Sequence, residues 1–288
     1  MDEIIYLNGS LVPREGAKIS PFDRGFLYGY GLFETMRSYG GRVFRLDRHL
    51  ARLMGGAEKL GFAAALDPTE LVQALYKTIE ANKLSDARIR LTVSAGEGER
   101  RLALPSWGTL TIIIVAEELV PPPSQFYQKC VCAVLVSPMR NSLSPLSRIK
   151  SANFLDNLIA HSEAVALGVD EAILLNERGF VCECSTSNIF LVMAGKLITP
   201  SVESGILPGI TREAVLELAN ALGIEAVERE VRVAELLRAD EAFLTNSIIE
   251  IRPITEIIDG KPIGSGKQGE VTKRLMAAYK ELVEREVR

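Results

Sequence analysis

Residues 120–124 read Val-Pro-Pro-Pro-Ser, and this stretch decides how the fold is divided. Consecutive prolines lack amide donors and have a fixed φ, so they can continue neither a β-ladder nor a helix. We therefore expect an interdomain linker over residues 120–127. It would separate an N-terminal α/β domain (residues 1–119) from a C-terminal domain (residues 128–288). A chain of 288 residues is long enough for two such domains.

On the N-terminal side of the linker, the pattern predicts a compact α+β unit. Asn8-Gly9 and Gly40-Gly41 supply the positive-φ positions of tight hairpins, with strands over residues 32–39 and 42–46 flanking the second. Apolar residues then recur at helical spacing from Leu46, and Pro68 at a first helical turn starts another helix. Two apolar runs typical of buried strands follow, at residues 88–94 and 109–116.

On the C-terminal side, strands and helices alternate again. A strand is predicted over residues 129–136, and a helix over residues 153–167 with Asn153 as its N-cap and Asp156 three residues later. Further helices are predicted over residues 211–222 and from about Gln268. Hairpin signals stand at Arg178-Gly179, Ala194-Gly195 and Asp259-Gly260. The whole chain is therefore predicted to be a two-domain α+β protein.

The composition restricts the partners that the protein can have. It is 47% hydrophobic and 24% charged, which is ordinary for a globular protein. A net charge of −4 disfavours a nucleic-acid surface, which needs a basic excess. No apolar run approaches the roughly 20 residues that span a bilayer, and Asp2 and Glu3 stand where a signal peptide would be basic. We expect a cytoplasmic protein with a small-molecule partner, and neither nucleic acid nor membrane.

Cysteine and histidine do not predict a metal site. The two C-x-C pairs could be interpreted as a split four-thiolate site, but both lie in strand-like runs rather than in the turns of zinc sites. Buried free thiols, with both members of a pair on one strand face, are the preferred interpretation. We interpret both histidines as structural or surface residues. The residues concerned are Cys130, Cys132, Cys182, Cys184, His49 and His161.

Three positions could carry chemistry, although each also has an ordinary interpretation. Lys150 precedes the helix predicted from Asn153, where it is either a presented active-site amine or a solvated lysine. Residues 209–211 (Gly-Ile-Thr) open a helix, so its free amides form either an anion site or a capped helix start. Glu183 lies in an apolar strand, where it faces water or binds a cationic ring nitrogen.

Several segments together carry a resemblance to a known family. They are residues 20–29 (SPFDRGFLYG), 33–35 (FET), 49–53 (HLARL), 150–153 (KSAN), 183–190, 207–212 (LPGITR) and 245–247 (TNS). In order and spacing they resemble the fold-type IV pyridoxal-phosphate enzymes, over nearly the whole chain. That class includes branched-chain aminotransferases, D-amino-acid aminotransferases and aminodeoxychorismate lyases.

The resemblance implies a fold, a cofactor and an assembly. It implies that Lys150 holds pyridoxal 5′-phosphate as a Schiff base and that Glu183 faces the pyridine nitrogen. The residues implied to hold the phosphate are Arg52, Ile210, Thr211 and Ser247. Enzymes of this class are homodimers with the cofactor in a cleft between domains, and we expect the same here.

The substrate-facing positions resemble aminodeoxychorismate lyases more than the aminotransferases. D-amino-acid aminotransferases would place an arginine at Ala95, and branched-chain enzymes a tyrosine at Phe154. The resemblance implies Thr35 as a proton donor during catalysis. The implied substrate contacts are Tyr28, Arg90, Arg100 and Asn246. Two arginines suit a substrate with two carboxylates.

We therefore expect a lyase that converts 4-amino-4-deoxychorismate to 4-aminobenzoate and pyruvate, a step of folate biosynthesis. The alternative is an aminotransferase for branched-chain or D-amino acids. A third possibility is a binding protein that keeps the fold without a cofactor.

Overall fold

The computed structural model describes residues 3–98, 108–120, 131–257 and 261–287. Contacts divide them into two compact units. The N-terminal unit holds the described residues up to 120 together with Ile149–Asn153. The C-terminal unit holds the described residues of 131–148 and 154–286. Most of the predicted linker, residues 121–127, lies outside the described residues, so the linker and the predicted domain boundaries stay predictions.

The N-terminal unit is built on a six-stranded antiparallel sheet in the order β2-β1-β6-β5-β3-β4. Its strands are β1 (Ile4–Leu7), β2 (Ser10–Pro13), β3 (Gly31–Tyr39), β4 (Arg42–Val43), β5 (Ala87–Glu97) and β6 (Thr109–Glu118). Its α-helices are α1 (Arg24–Tyr28), α2 (Leu46–Leu60) and α3 (Pro68–Ala81).

The two faces of this sheet differ because side chains alternate along each strand. On β5, Ile89 and Leu91 are fully buried and pack with residues of α2 and α3, whereas Arg88 and Arg90 are exposed on the opposite face. On β3, Met36 belongs to the helix-covered core. One face is therefore the hydrophobic core, and the other, here called the open face, carries the odd-numbered residues of β3 and the even-numbered arginines of β5.

The C-terminal unit contains a mixed sheet of ten strands among the described residues. They are β7 (Val131–Arg140), β8 (Glu171–Asn176), β9 (Phe180–Cys184), β10 (Asn188–Met193), β11 (Lys196–Pro200), β12 (Ala226–Arg229), β13 (Val231–Arg232), β14 (Glu241–Asn246), β15 (Glu250–Ile257) and β16 (Lys261–Pro262). The order is β12-β11-β10-β14-β15-β7-β8-β9-β13, with β16 on β15. The sheet curls so that β9 also contacts β10 and β11.

The helices of the C-terminal unit pack on this sheet. They are α4 (Leu155–Ala166), α5 (Ile210–Ala221), α6 (Val233–Leu236) and α7 (Glu270–Glu286). Ala160 and Ala164 of α4 pack against buried residues of β7 and β8. α5 contacts α7 and β14. None of the described helices combines the length and the hydropathy that a membrane-spanning segment requires.

Most predicted elements are confirmed, because their signals are local. Asn8 and Gly9 take φ values of 48° and 92° between β1 and β2, and Gly40 and Gly41 have positive φ between β3 and β4. Pro68 begins α3 and is preceded by Asp67 as N-cap. The strand predicted over residues 42–46 is shorter, because α2 already starts at Leu46. The predicted turn at Asp259-Gly260 lies outside the described residues.

The predicted start of α4 is wrong. Its N-cap is Phe154, and no side-chain cap bond is formed there. Asn153 instead donates from Nδ2 to the carbonyl of Gly29, at 3.0 Å. The amide that was expected to cap the helix is used to tie residues 149–153 to the end of α1.

The prediction that Cys182 and Cys184 share a strand face is also wrong. Leu174 pairs with Glu183 but Leu175 pairs with Val181, so Cys182 is the extra residue of a β-bulge. Cys182 donates to the carbonyl of Ser204 at 3.0 Å, while Cys184 packs in the core.

Three cysteines of the described chain are free, and Cys182 and Cys184 among them are buried as predicted. Cys132 is half-buried, and Cys130 lies outside the described residues. Burial raises the pKa of Cys182 to about 12 and that of Cys184 well above its usual range, so both stay as thiols. No cluster of potential metal ligands occurs among the described residues.

Candidate active site

Lys150 is held against β3 by backbone pairing. The amide of Phe33 donates to the carbonyl of Lys150 at 2.9 Å, and the amide of Ala152 donates to the carbonyl of Gly31 at 2.8 Å. Ser151 forms an isolated bridge with Leu32. The half-buried Lys150 places Nζ 4.4 Å from the centroid of the Phe33 ring. The lysine is therefore not a freely solvated side chain, because its backbone is fixed and its amine lies over an aromatic ring on the open face.

Thr35 and Arg90 lie together on the same open face. They are direct cross-strand partners in the β3–β5 ladder. The Arg90 guanidinium carbon lies 3.9 Å from the centroid of the Phe33 ring, so this ring contacts both Arg90 and Lys150. Burial, with a smaller contribution from the neighbouring Arg88 charge, lowers the pKa of Arg90. The structure thus groups three of the predicted site residues, Thr35, Arg90 and Lys150, on the face that carries Phe33.

Tyr28 lies at the end of α1 and is 50% exposed. The next residue, Gly29, adopts φ 65°, and its carbonyl accepts the hydrogen bond from Asn153 Nδ2. This bond joins the end of α1 to the segment 149–153, which contains Lys150. A Cβ at Gly29 would press on the Asn153 side chain. Arg100 lies outside the described residues, and its substrate contact stays a prediction.

Arg52 is part of a buried network that extends from α2 to β3. Its Nε and Nη2 donate to Glu34 Oε1 and Oε2 at 2.8 and 2.6 Å. His49 Nδ1 lies 2.7 Å from Glu34 Oε2. Burial alone would raise the pKa of Glu34, but the Arg52 charge and the hydrogen bonds from Arg52 and His49 lower it to about 2. Burial lowers the pKa of His49 more than Glu34 raises it, so the imidazole is neutral near pH 7.

Glu183 is a buried carboxylate with both oxygens engaged. Its Oε1 pairs with Arg140 Nη2 at 2.8 Å, and its Oε2 accepts the Leu207 amide at 2.9 Å. Asn188 Nδ2 lies 3.4 Å from the same Oε2 and donates to the Leu207 carbonyl at 2.9 Å. The β-bulge at Cys182 sets the face on which Glu183 lies. The Glu183 carboxylate is therefore fixed in place rather than solvated.

The start of α5 is open to an anion. Gly209 is the N-cap, and no side-chain hydrogen bond caps this twelve-residue helix. Ile210 and Thr211 are buried in its first turn, where backbone amides lack intrahelical acceptors. A Cβ on Gly209 would overlap Asn188 Oδ1, so the glycine lets the chain pass close to the residue that also contacts Glu183.

The turn after β14 contains the remaining predicted residues. Asn246 Oδ1 accepts from the amides of Ile248 and Ile249, both at 2.9 Å. Its Nδ2 donates to Ser187 Oγ at 3.0 Å and to the Thr186 carbonyl at 3.3 Å. The Asn246 side chain therefore stabilises its own turn. To bind a substrate, it would have to replace one of these hydrogen bonds by a bond to the substrate. Ser247, predicted to bind phosphate, lies half-buried in the same turn.

Five residues of these clusters escaped sequence reasoning: Phe33, Glu34, His49, Arg140 and Asn188. A detectable signal was present only for Glu34, because its neighbours on the same strand face, Leu32 and Met36, are apolar. His49 resembles an isolated structural or surface residue in the sequence, because its partner Glu34 lies 15 positions away in the chain. The partner of Arg140 is set by strand order, since β7 and β9 lie on either side of β8, and the bond from Asn188 to Leu207 spans 19 positions.

Comparison with known proteins gives consistent matches over most of the chain. The family model described as amino-transferase class IV matches residues 31–257. A putative branched-chain-amino-acid aminotransferase of Methanocaldococcus jannaschii is 41% identical, with 96% of each chain covered. An aminodeoxychorismate lyase of Bacillus subtilis is 35% identical, covering 96% of this chain and 94% of that protein.

A solved structure has the same fold. It is a branched-chain amino acid aminotransferase of Escherichia coli. The TM-score is 0.92 at 32% identity, with 100% of this chain and 97% of that chain covered.

Proposed function

Because the chain belongs to the class IV aminotransferase family, we propose that it is an aminodeoxychorismate lyase, which converts 4-amino-4-deoxychorismate to 4-aminobenzoate and pyruvate. The family is dependent on pyridoxal phosphate, and the chain is accordingly a pyridoxal-phosphate enzyme. The observation that carries the lyase proposal is the placement of Thr35 beside Arg90, on the face where Lys150 Nζ lies.

Each unit, taken by itself, contains residues whose chemistry suits the cofactor. The uncapped start of α5, with the Thr211 hydroxyl in its first turn, suits a phosphate dianion, and Arg52 would add a positive charge. The buried Glu183 carboxylate suits a protonated ring nitrogen. Lys150 would hold the aldehyde carbon through Nζ. Ser247 would complete the phosphate contacts.

The reaction then depends on proton transfers by side chains of this chain. When bound, pyridoxal phosphate supplies an aldehyde that bonds to an amine and a ring that takes up the electron pair left by the departing Cα proton. Lys150 Nζ, once the substrate amine has displaced it, accepts that proton. The backbone pairing of Lys150 with β3 fixes the point from which its side chain extends, and Nζ lies over Phe33.

Thr35 and Arg90 would act on the rest of the substrate. The Arg90 guanidinium binds a carboxylate as a two-pronged donor. The Thr35 hydroxyl, directly across the ladder from Arg90, donates a proton to the side-chain oxygen as pyruvate leaves. Arg88 lies on the same face and adds positive charge that favours a substrate with two carboxylates.

The second candidate is an aminotransferase for branched-chain or D-amino acids. The 41% identity to the Methanocaldococcus jannaschii protein favours it. Both reactions begin with loss of the same Cα proton, so the same Lys150 serves either one. They differ in the outcome: in the lyase reaction a side-chain oxygen of the substrate leaves, whereas in amino transfer the amino group passes to a keto acid. We further propose that the protein acts as a homodimer in the cytoplasm and supplies 4-aminobenzoate for folate biosynthesis.

The cofactor claim is tested with the Lys150→Ala variant. The wild-type protein should absorb visible light after purification with pyridoxal phosphate, and Lys150→Ala should lose that band. Lys196→Ala is the matched control, because Lys196 forms an exposed ion pair with Glu225. An unchanged spectrum in Lys150→Ala would refute the assignment.

The reaction is tested by offering 4-amino-4-deoxychorismate alone, and separately L-leucine or D-alanine with 2-oxoglutarate. Release of pyruvate and 4-aminobenzoate without any keto acid supports the lyase. Amino transfer without 4-aminobenzoate would contradict it and support the second candidate.

A further inference from the structure

The segments 33–35 and 49–53 meet in the Glu34–His49–Arg52 network, and only Arg52 has a role in the function proposed above. His49 and Arg52 stand three residues apart on α2, so both face the same strand. The side chains of Glu34 and His49 are 0% and 1% exposed, whereas that of Arg52 is 11% exposed. The arginine is therefore backed by two buried groups and is the member of the trio that reaches solvent.

The charges of the network are balanced. Glu34 is ionised, since its pKa is about 2, and His49 is neutral. Neutral imidazole donates one hydrogen bond, here from Nδ1 to Glu34 Oε2. The two carboxylate oxygens of Glu34 in turn accept hydrogen bonds from Nε and Nη2, which form one edge of the Arg52 guanidinium. This arrangement fixes the plane and the rotation of the Arg52 guanidinium.

Stability alone does not explain such a network. A buried ion pair loses much of its attraction to desolvation, and apolar residues of similar size often stabilise a core equally well. Orienting an arginine before an anion arrives has a different benefit, because a long side chain otherwise loses its rotational freedom on binding.

We propose that Glu34 and His49 are positioning residues that hold the Arg52 guanidinium ready for the phosphate of the cofactor. The inference rests on the proposed function, in which Arg52 contacts that phosphate. Glu34 sets the guanidinium by two hydrogen bonds, and His49 sets Glu34 by one. Neither residue touches the cofactor.

The test compares the affinities of the full-length protein for pyridoxal 5′-phosphate and for pyridoxal, which lacks the phosphate. Glu34→Gln replaces the ionised two-oxygen acceptor by an amide with a single acceptor oxygen. We expect it to weaken pyridoxal phosphate binding about tenfold or more, which is the effect of losing a charged hydrogen bond. Pyridoxal binding should stay within about twofold, since the phosphate contact is absent.

A pair of His49 variants separates positioning from packing. His49→Asn keeps a donor near the Nδ1 position, whereas His49→Leu removes it. We expect His49→Leu to lower the preference for the phosphorylated ligand, and His49→Asn to restore most of it. The ³¹P line of the bound phosphate should broaden or shift in Glu34→Gln and His49→Leu but not in His49→Asn. Arg48→Gln, an exposed residue on the same helix, should change none of these quantities.

The unfolding temperature of each variant separates a loss of stability from a loss of phosphate binding. If Glu34→Gln and His49→Leu lower the unfolding temperature but keep the wild-type ratio of the two affinities, the network is only structural and the inference is overturned. If the wild-type protein binds pyridoxal phosphate no better than pyridoxal, the proposed phosphate site itself fails, and this inference fails with it.

Discussion

At the scale of single residues, two neighbouring groups hold the Glu183 carboxylate in position. Arg140 supplies the opposing charge at 2.8 Å and the Leu207 amide supplies a hydrogen bond. The side chains of Arg140 and Glu183 are only 14% and 6% exposed, so water screens the pair weakly. Removing one partner of such a pair leaves an uncompensated buried charge, which costs far more than the pair itself contributes.

Arg140→Met should therefore lower the free energy of unfolding by about 3 kcal/mol, measured by urea denaturation, and should weaken pyridoxal phosphate binding because Glu183 loses its fixed position. Arg178→Met is the matched control, since Arg178 pairs with Glu230 where both side chains are more than a third exposed. We expect that control to cost less than about 1 kcal/mol. Equal losses in the two variants would show that the Arg140–Glu183 pair has no special importance.

At the scale of elements, the sequence predicted what depends on local pattern. The helices α2, α3 and α5 and the hairpin turns follow from periodicity and from positive-φ residues. The errors at α4 and at the Cys182 bulge have another cause. Asn153 bonds to Gly29, 124 positions away, and the bulge arises from pairing with β8. A residue whose best partner is distant in the chain cannot be assigned from its neighbours.

The start of α5 yields a prediction of its own. The backbone of Gly209 has φ −75°, which any residue adopts, so only space restricts this position. Gly209→Ala would push Asn188 away and disturb its contacts with Leu207 and Glu183. We expect a destabilisation of about 1–3 kcal/mol and weaker pyridoxal phosphate binding.

A double-mutant cycle separates this clash from a general effect of alanine. If Asn188 carries the effect, Gly209→Ala should cost much less in an Asn188→Ala background, where the overlapping oxygen is gone. Additive effects of the two substitutions on unfolding free energy and on cofactor affinity would contradict this explanation.

At the scale of the whole molecule, the grouping of residues 149–153 with the N-terminal unit was beyond sequence reasoning. The prediction placed Lys150 in the C-terminal domain, whereas its backbone pairs with β3. The two-domain α+β class was predictable, because hairpin and helix signals occur on both sides of residues 120–124. The candidate site residues could be named mainly through the family resemblance, since Lys150, Arg52 and Glu183 are each ordinary in isolation.

The surface of α4 allows a test of the proposed homodimer. Leu155, Leu158 and Ile159 are 67%, 54% and 48% exposed, and their i, i+3, i+4 spacing places them on one side of the helix. An exposed apolar stripe is typical of a protein–protein contact surface, and we propose that a second copy of this chain covers it. Leu158→Glu should lower the mass measured by light scattering after size exclusion toward that of a monomer, because it buries a carboxylate in the contact.

Leu237→Glu, at an apolar residue that is 37% exposed in the same unit, should leave the mass unchanged. A Leu158→Glu protein that keeps the wild-type mass would show that α4 lies outside the dimer contact.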